Sequence, residues 1–472
     1  MSPVLTQQRL HSLAWVRERV AYSREQIAGI FGLQVETAGD IILSLLSSGI
    51  LRQVRKGETN VGADPVESFI GKGDFAFSFV GLYCYRGHLV YSLPKYVTTE
   101  KLAEPEICAA DSPLPVERAE LFAQVLRVIT RYNSGYKREI SDSLHERAAD
   151  CYLALPVTLL CDYAEHGEYR NDSELISRNT HGRILWNRTI NSTLPFIQNA
   201  QPVYVDTYAA RTVDAEEDFF TRLHRVVVKE CCHMLSQFRL TELLGLPEIE
   251  AIEESSDELG GVDYLIRCVE NELSQQFDSR RRHILQLLLA YFQQHCEEDL
   301  QPDTELMLGC THFHTVWEEV CRATLGQAVS HEIAPPVWLL SCGRAEAAST
   351  LRPDMVFVRG AVVYVLDAKY YLPVVRNGVI NGLPGVNDVT KQFLYEQEFA
   401  CCRPGGKVFN AFLLPMPSEV ETGEPFERYG NVSMTLFPGR RIEVFRLHAQ
   451  QLYAAYLSGS RCDWLELMFS QI

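Results

Sequence analysis

Apolar residues in the N-terminal part of the chain form stripes at helical spacing, separated by short polar breaks. Stripes in residues 7–20, in the segment IAGIFGL and in residues 35–48 predict three helices, and residues 50–54 are typical of a strand. Ser23, with the glutamine three residues later, is a capping-box signal for the second helix. The order of three helices and a strand predicts a winged helix-turn-helix domain.

Such a domain can place its last helix in the major groove of DNA. The helix predicted over residues 35–48, however, carries Glu36 and Asp40 near its start and has no lysine or arginine. Because phosphate contacts need cations, packing against another domain or protein is the favoured role of this helix. Arg55 and Lys56, in the turn that follows the strand, are the candidate DNA contacts of this domain.

Residues 75–96 are rich in aromatic and β-branched side chains, and Arg86-Gly87 in their middle predicts the turn of a β-hairpin. From about residue 113 to 300, long apolar stripes at helical spacing predict a largely helical region. These patterns divide the chain into three consecutive domains. They are a winged-helix-like domain with a β-hairpin (1–105), a mainly helical middle domain (106–304) and a C-terminal domain (305–472).

The C-terminal domain has a pattern of its own. The segment THFHTVWEEVCRATLG predicts a helix, and LRPDMVFV and AVVYVLDAKYY predict two strands joined by a tight turn at Arg359-Gly360. A helix at DVTKQFLYEQEFA and strands at KVFNAFLLP and RIEVFRL follow. The predicted fold class is therefore α+β with several domains, and its last domain has the order α-β-β-α-β.

Charged residues interrupt these apolar strands in a pattern that indicates chemistry. Asp354 follows Pro353 and is expected to end the first strand, and Asp367 and Lys369 are two residues apart in the second. A strand therefore directs both of these side chains to one face. Of the nine lysines, only Lys369 has an acid two positions before it. Burying such a pair without a purpose is costly, although an exposed salt bridge on an edge strand is the simpler alternative.

This pattern and the α-β-β-α-β order are those of the PD-(D/E)xK nuclease core. Phosphodiester hydrolysis needs hard oxygen ligands for Mg²⁺, a deprotonated water and neutralisation of the charge that develops on the phosphate. We expect the side chains of Asp354 and Asp367 and the carbonyl of Ala368 to ligate Mg²⁺, for which Mn²⁺ can substitute. Lys369 is expected beside the attacking water and the phosphate.

A third acid is expected from the preceding helix, where Glu318 and Glu319 compete. Glu318 lies closer to the apolar face of that helix and is favoured as a ligand or water-bridged acid. In the helix after the second strand, Gln392 is expected to orient Lys369 or to bind the phosphate. An ordinary polar helix face is the alternative for Gln392, Lys391 and Tyr395. The further nucleic-acid contacts predicted are Lys391, Tyr395 and Arg352.

With these residues the chain resembles the LlaJI-type restriction endonucleases, relatives of the nuclease subunit of the McrBC system. The resemblance covers most of the chain. It rests on FVGL with LPKY, GRILWNRTI, FHTVWEEVC, LRPD, VLDAKYY and KQFLYEQ. It implies a bacterial restriction or phage-defence role on double-stranded DNA and a separate partner, an AAA+ GTPase of the McrB type. It also leaves room for a homo-oligomer.

Charge and composition qualify this picture. The net charge of the 472 residues is −17, which repels nucleic acid, so local basic surface, metal ions or a partner must overcome the repulsion. The fourteen cysteines are scattered without any CxxC motif, which favours reduced thiols and a cytoplasmic protein. Cys310, His312 and His314 lack a second cluster, so zinc is disfavoured. No apolar run is long enough to predict a membrane span.

Two other functions remain open. The first is a winged-helix DNA-binding regulator with an inactive nuclease fold, which the intact acidic and lysine residues disfavour. The second is an effector that cuts RNA without a partner, which the lack of a large basic patch disfavours. The chain has no GxxxxGK[ST] motif, so we expect it to leave nucleotide hydrolysis to the partner.

Overall fold

A computed structural model describes most of the chain. The described residues are 11–54, 73–98, 104–139, 153–170, 174–199, 201–212, 218–247, 249, 254–297, 306–326, 333–346, 350–376, 379–402, 406–418 and 423–472.

The described residues form both strands and helices, in runs of one type as well as in alternation. The strands are β1 (Ser12–Arg17), β2 (Ala21–Tyr22), β3 (Leu51–Gln53), β4 (Phe75–Phe77), β5 (Val80–Tyr85), β6 (His88–Leu93), β7 (Glu106–Ala109), β8 (Glu174–Arg178), β9 (Arg183–Ile184), β10 (Phe196–Gln198), β11 (Gln201–Val203), β12 (Tyr208–Thr212), β13 (Leu306–Cys310), β14 (Val337–Leu340), β15 (Gly343–Glu346), β16 (Met355–Arg359), β17 (Val362–Ala368), β18 (Val374–Arg376), β19 (Val379–Asn381), β20 (Lys407–Pro415), β21 (Phe426–Val432) and β22 (Ile442–Leu447). The helices are α1 (Arg24–Ile30), α2 (Ala38–Ser47), α3 (Val116–Glu139), α4 (Ala154–His166), α5 (Trp186–Ser192), α6 (Phe219–Gln237), α7 (Leu240–Leu244), α8 (Ser256–Leu259), α9 (Val262–Gln275), α10 (Ser279–Glu297), α11 (Phe313–Leu325), α12 (Val386–Cys402), α13 (Ala449–Ser458) and α14 (Trp464–Ser470).

The chain forms two compact units. The described residues of the smaller unit lie in 153–297, and those of the larger unit lie in 11–139 and 306–472. The described segments 11–139 and 306–472 thus belong to one unit, whereas the sequence predicted three consecutive domains. The architecture is of the mixed α+β class, with several sheets.

The larger unit contains two five-stranded sheets. One has the strand order β13-β5-β6-β1-β7, in which only the β1–β6 pair is parallel. The other has the order β16-β17-β20-β22-β21, with three central strands in parallel and an antiparallel strand at each edge. The second sheet carries the charged positions singled out above.

The helix predicted over residues 7–20 is wrong, because its described part contains strand β1. Five of the six β1 residues are buried, so the strand is apolar on both faces. Trp15 packs against Tyr91 and Phe122, with ring centroids 4.5 and 5.7 Å away. A short apolar run of this kind fits a buried strand as well as a helix, and the residue pattern alone does not separate the two.

The next predicted elements are present. Helix α1 has the expected capping box between Ser23 and Gln26, and α2 and β3 lie where a helix and a strand were predicted. The predicted β-hairpin is formed by β5 and β6, and Arg86 and Gly87 both have positive φ in its turn. Arg55 and Lys56 lie outside the described residues.

The smaller unit is largely helical, as expected, but it also contains strands that the sequence did not predict. Strands β8, β12 and β9 form a sheet, and β10 pairs with β11. The segment GRILWNRTI supplies β9 and α5. None of the helices that the structure describes is long and apolar enough to cross a membrane.

Strands β5 and β13 approach closely at a pair of glycines, Gly81 and Gly309. Gly81 has φ +142°, and a Cβ atom on it would overlap the carbonyl oxygen of Leu308.

We expect Gly81→Ala to lower the free energy of unfolding by about 1–3 kcal/mol or more, measured by denaturant titration. The control is Gly430→Ala, because nothing lies near a Cβ atom there. Equal stability of both variants would contradict the close approach.

Candidate active site

Strand pairing brings the two aspartates of the motif together. In the β16–β17 hairpin Met355 pairs with Leu366, so Asp354, one residue before β16, lies next to Asp367 near the end of β17. Asp354 therefore precedes its strand, and the expectation that it ends the strand is wrong. Because β16 and β17 are antiparallel, the start of β16 and the end of β17 lie side by side at the same end of the sheet.

The two carboxyl groups differ in their surroundings. Asp367 is buried and Asp354 is exposed. Burial raises the pKa of Asp367 well above its usual value, and the hydrogen bond with Asp354 and the charge of Asp354 raise it further. Lys369 acts in the opposite direction. Asp354 and Asp367 thus lie at the same end of the sheet, and the ionised form of Asp367 needs a cation beside it.

Lys369 supplies one such cation. Its Nζ atom lies 3.1 Å from Asp367 Oδ1 and 3.6 Å from Asp388 Oδ1. Burial opposes ionisation of Lys369, but Asp367, Asp388 and Asp354 together raise the pKa of its ammonium group. The backbone N–H of Lys369 donates to the carbonyl of Leu413 in β20, which fixes the lysine beside the sheet edge.

Helix α11 brings one of the two competing glutamates to this place. Burial raises the pKa of Glu318 to about 7, while Lys369 lowers it and Asp367 raises it, so the carboxyl group lies within electrostatic reach of both. Glu319 instead accepts a hydrogen bond from Arg322 Nε at 2.9 Å. The two neighbours on the helix therefore face different partners.

Helix α12 packs on β17 through residues that were predicted to act on the substrate. Gln392 is fully buried, and its Nε2 atom donates to the carbonyl of Val365 at 3.2 Å. The hydroxyl of Tyr395, also buried, donates to the carbonyl of Arg352 at 3.1 Å. These contacts hold the helix against the sheet, and neither is the predicted contact with Lys369 or the phosphate.

Other predicted residues have simpler surroundings. Lys391 and Arg352 are exposed, and the side chain of Ala368 is buried in the core where Ala368 pairs with Leu413. Asp388 was not predicted. It lies in the first turn of α12, and its Oδ2 atom accepts from the hydroxyl of Tyr371 and the N–H of Gly385. An acid in the first turn of a helix is common, so the sequence gave no distinct signal for it.

Within the described ranges, no three His, Cys, Asp or Glu side chains are arranged to enclose a metal ion on their own. Asp354 and Asp367 nevertheless place carboxylate oxygens side by side, with Glu318 within electrostatic reach of Asp367. Oxygen ligands for a cation are therefore available at this edge of the sheet, together with a lysine. Carboxylate oxygens of this kind are the ligands that hard divalent cations prefer.

Comparison with known proteins identifies the family to which this chain belongs. A model of the LlaJI restriction endonuclease family matches residues 79–450. The chain therefore belongs to the LlaJI restriction endonucleases, as the sequence motifs suggested. The match includes the β16–β17 hairpin and helices α11 and α12, so it contains all the site residues described here.

Two individual proteins are similar to this chain. The type II restriction enzyme BsuMI component YdjA of Bacillus subtilis is 25% identical over 401 residues, which are 82% of this chain and 81% of the relative. A solved half-complex from the tetradecameric assembly of Thermococcus gammatolerans McrB AAA+ hexamers with bound McrC matches 94% of this chain and 99% of the solved chain. Its sequence identity is 13% and its TM-score 0.40.

Glu318 should make stability depend on pH. Its carboxyl group titrates near 4.5 when the chain is unfolded and near 7 when it is folded, so the folded state holds the proton more tightly. The contribution of protonated Glu318 to the free energy of unfolding is complete below about pH 4.5 and is lost as the pH rises through about 7. Glu318→Gln should raise the free energy of unfolding at about pH 8 by on the order of 1–3 kcal/mol.

Denaturant titrations in EDTA at about pH 5 and about pH 8 test this expectation. At the lower pH the Glu318→Gln variant and the wild type should differ little. Glu319→Gln is the matched control, because Glu319 is the neighbouring residue on the same helix and pairs with Arg322. A stabilisation by Glu318→Gln of the same size at both pH values would show that burial does not hold the proton on Glu318.

Proposed function

We propose that this chain is the nuclease subunit of a restriction complex and hydrolyses DNA phosphodiesters in a Mg²⁺-dependent reaction. The proposal is supported by one observation: Asp354, Asp367 and Lys369 lie together at one end of the sheet, in a chain of the LlaJI family. A DNA-binding regulator with an inactive nuclease fold would have no use for a buried acid and lysine held in this way.

The element order supports a PD-(D/E)xK core for this region. Helix α11, strands β16 and β17, helix α12 and strand β20 follow one another in the expected α-β-β-α-β order, with the short hairpins β14–β15 and β18–β19 inserted. In the N-terminal part, α1, α2 and the β2-β4-β3 sheet support a winged helix whose first predicted helix is missing. Its helix α2 has no basic residue, which favours a packing role.

The site residues suit Mg²⁺. This ion takes one or two carboxylates and completes its shell with water and phosphate oxygens, so Asp354 and Asp367 are sufficient protein ligands, and Glu318 can bind through a water. A divalent cation also relieves the repulsion that raises the pKa of Asp367. When bound, the ion would lower the pKa of a water molecule and polarise the phosphate.

Each side chain then has a defined task. Asp354 and Asp367 hold the cation and fix where the phosphate lies. Lys369 stays charged next to Asp367 and neutralises negative charge that develops on the phosphate oxygens. Asp388 holds the lysine from its other side, so the ammonium group is fixed before the substrate arrives. Gln392 and Tyr395 keep helix α12 in place, and Lys391 and Arg352 are exposed for contacts with the DNA backbone.

A separate McrB-type GTPase partner is part of the proposal. The similar Bacillus subtilis protein is named as a component of its restriction enzyme, which supports work in a complex. A chain with net charge −17 also gains from a partner that brings DNA to it. In the smaller unit Trp186, Phe196 and Ile197 are exposed on α5 and β10, and exposed apolar side chains of this size suit a protein partner.

Cleavage of plasmid DNA tests the proposal. Asp367→Asn should lower the cleavage rate by more than about 100-fold, because it removes a ligand charge, yet it should fold at least as stably because the ionised carboxylate is costly to bury. Lys369→Ala should retain Mg²⁺ binding and lose turnover. The reactions contain Mg²⁺ or EDTA, with and without a GTPase of the McrB type and GTP.

The matched control is Asp111→Asn, which removes an exposed carboxylate in the turn after β7. It should cleave at the wild-type rate. Full activity of the folded Asp367→Asn variant would refute the assignment of Asp367 to the active site. Cleavage that does not depend on the GTPase and GTP would contradict the proposed partner. Faster cleavage of RNA than of DNA would contradict the proposed substrate.

A further inference from the structure

The hairpin formed by β14 and β15 exposes four apolar side chains in succession. Val337, Trp338, Leu339 and Leu340 are each between 46% and 84% exposed. Among the strands that the structure describes, β14 and β15 pair only with each other, so no further strand covers them. Single apolar side chains at a protein surface are ordinary, but a run of four on an isolated hairpin favours a binding role.

One face of this hairpin carries no charge. The alternation of side chains along a strand puts Trp338 and Leu340 on the same face. Across the strand pair they lie opposite Ala345 and Gly343, of which the first has a small side chain and the second has none. We call this surface of four residues the tryptophan face. Its small neighbours leave the indole ring accessible to a flat partner.

The opposite face of the hairpin is less apolar. It carries Val337 and Leu339, which pair with Glu346 and Arg344. Arg344 Nη2 lies 3.8 Å from Glu346 Oε1, so this face presents a salt bridge to the solvent. An apolar contact therefore suits the tryptophan face better than the face that carries these charges.

The base of the hairpin is fixed to the sheet of the candidate active site. Ile333 precedes β14 and Leu351 follows β15, and both pack against a buried apolar cluster formed by β16, β17 and α12. The hydroxyl of Thr350 donates to the carbonyl of Ile333, which joins the two ends of the hairpin segment. Asp354 follows Leu351 by only three residues. The elements that hold the acid therefore also hold the hairpin.

The covalent chain limits the distance between the hairpin and the candidate active site. Ala345, the strand partner of Trp338, lies nine residues before Asp354. An extended chain spans at most about 3.6 Å per residue, so Trp338 lies within about 40 Å of Asp354. This is the length of about twelve base pairs of duplex DNA. A duplex bound at the candidate site extends over that distance in both directions.

The size of the tryptophan face favours a nucleobase over a protein. Two strands of four residues are about 13 Å long and about 5 Å apart, so the face covers on the order of 100–200 Å². A stable protein–protein interface buries about 800 Å² on each partner. A base stacked on one indole ring fits the smaller area, and apolar side chains that enter between base pairs are a recurrent means of binding DNA.

We propose that the β14–β15 hairpin inserts into the substrate DNA and stacks Trp338 on a base within about twelve base pairs of the cleaved bond. The inference rests on the proposed nuclease function. Stacking adds affinity that does not require positive charge, which suits a DNA-cutting chain whose net charge is −17. Because the base of the hairpin is fixed to the sheet, the inserted ring also sets the position of the duplex along the acids of the site.

Duplexes that carry the fluorescent base 2-aminopurine at successive positions around the mapped cleavage site test the contact. The full-length Asp367→Asn variant binds them with Mg²⁺ and any partner that cleavage requires, so the DNA stays largely uncut. Fluorescence of 2-aminopurine depends on how the base is stacked. It should change at one or two adjacent positions within about twelve base pairs of the cleaved bond. Adding Trp338→Ala should remove this change at saturating protein concentration.

Cleavage of natural DNA gives a second readout, in the otherwise wild-type protein. Trp338→Ala should lower the rate at subsaturating DNA by about 10- to 100-fold, because the stacking of one base is lost. Trp338→Phe keeps a flat ring and should recover most of the rate. Leu339→Ala is the matched control, since it removes an exposed apolar side chain of the same strand from the opposite face. It should leave the rate and the fluorescence profile close to those of the wild type.

Three outcomes would overturn the inference, and they are distinguishable. Fluorescence that Trp338→Ala leaves unchanged, with an unchanged cleavage rate, would show that the hairpin does not contact DNA. Unchanged fluorescence with a loss of partner-dependent cleavage would assign the hairpin to a protein partner instead. Absence of wild-type cleavage on every duplex would refute the proposed nuclease function and this inference with it, whereas the first two outcomes refute the inference alone.

Discussion

The position of β17 between two strands of opposite direction is the constraint on which the candidate active site depends. Its antiparallel pairing with β16 brings Asp354 to Asp367, and its parallel pairing with β20 places the N–H of Lys369 on Leu413. Like charges that repel one another are thereby kept together by main-chain hydrogen bonds. The stability of the sheet supports an arrangement of acids that the side chains alone would not maintain.

Part of this site could be predicted because its signal is local. An acid and a lysine two residues apart in an apolar strand stand out in the sequence, and the helical face of α11 favours Glu318 over Glu319. Asp388 gave no such signal, since an acid in the first turn of a helix is common and its contact with Lys369 is made only in the folded chain. Gln392 shows the converse: a polar residue with suitable spacing is buried against the main chain of β17.

The fold was predictable in the same uneven way. Caps and turns that depend on a few neighbours, such as Ser23 with Gln26 and Arg86 with Gly87, are where the sequence predicted them. Strand β1 was mistaken for a helix because both of its faces are buried, which removes the alternation that marks a half-buried strand. The composition of the larger unit depends on which distant segments pair, and no local pattern encodes that.

The pairing of β5 with β13 has a consequence for biosynthesis. Strand β13 leaves the ribosome roughly 220 residues after β5, and the smaller unit is made between them. Until then one edge of β5 has no neighbour, and such long-range pairing is slow to form. Helix α11 and strand β17 are translated later still. A nascent chain therefore carries no assembled candidate site until β17 has been made, and a product that is truncated before β17 lacks Asp367 and Lys369.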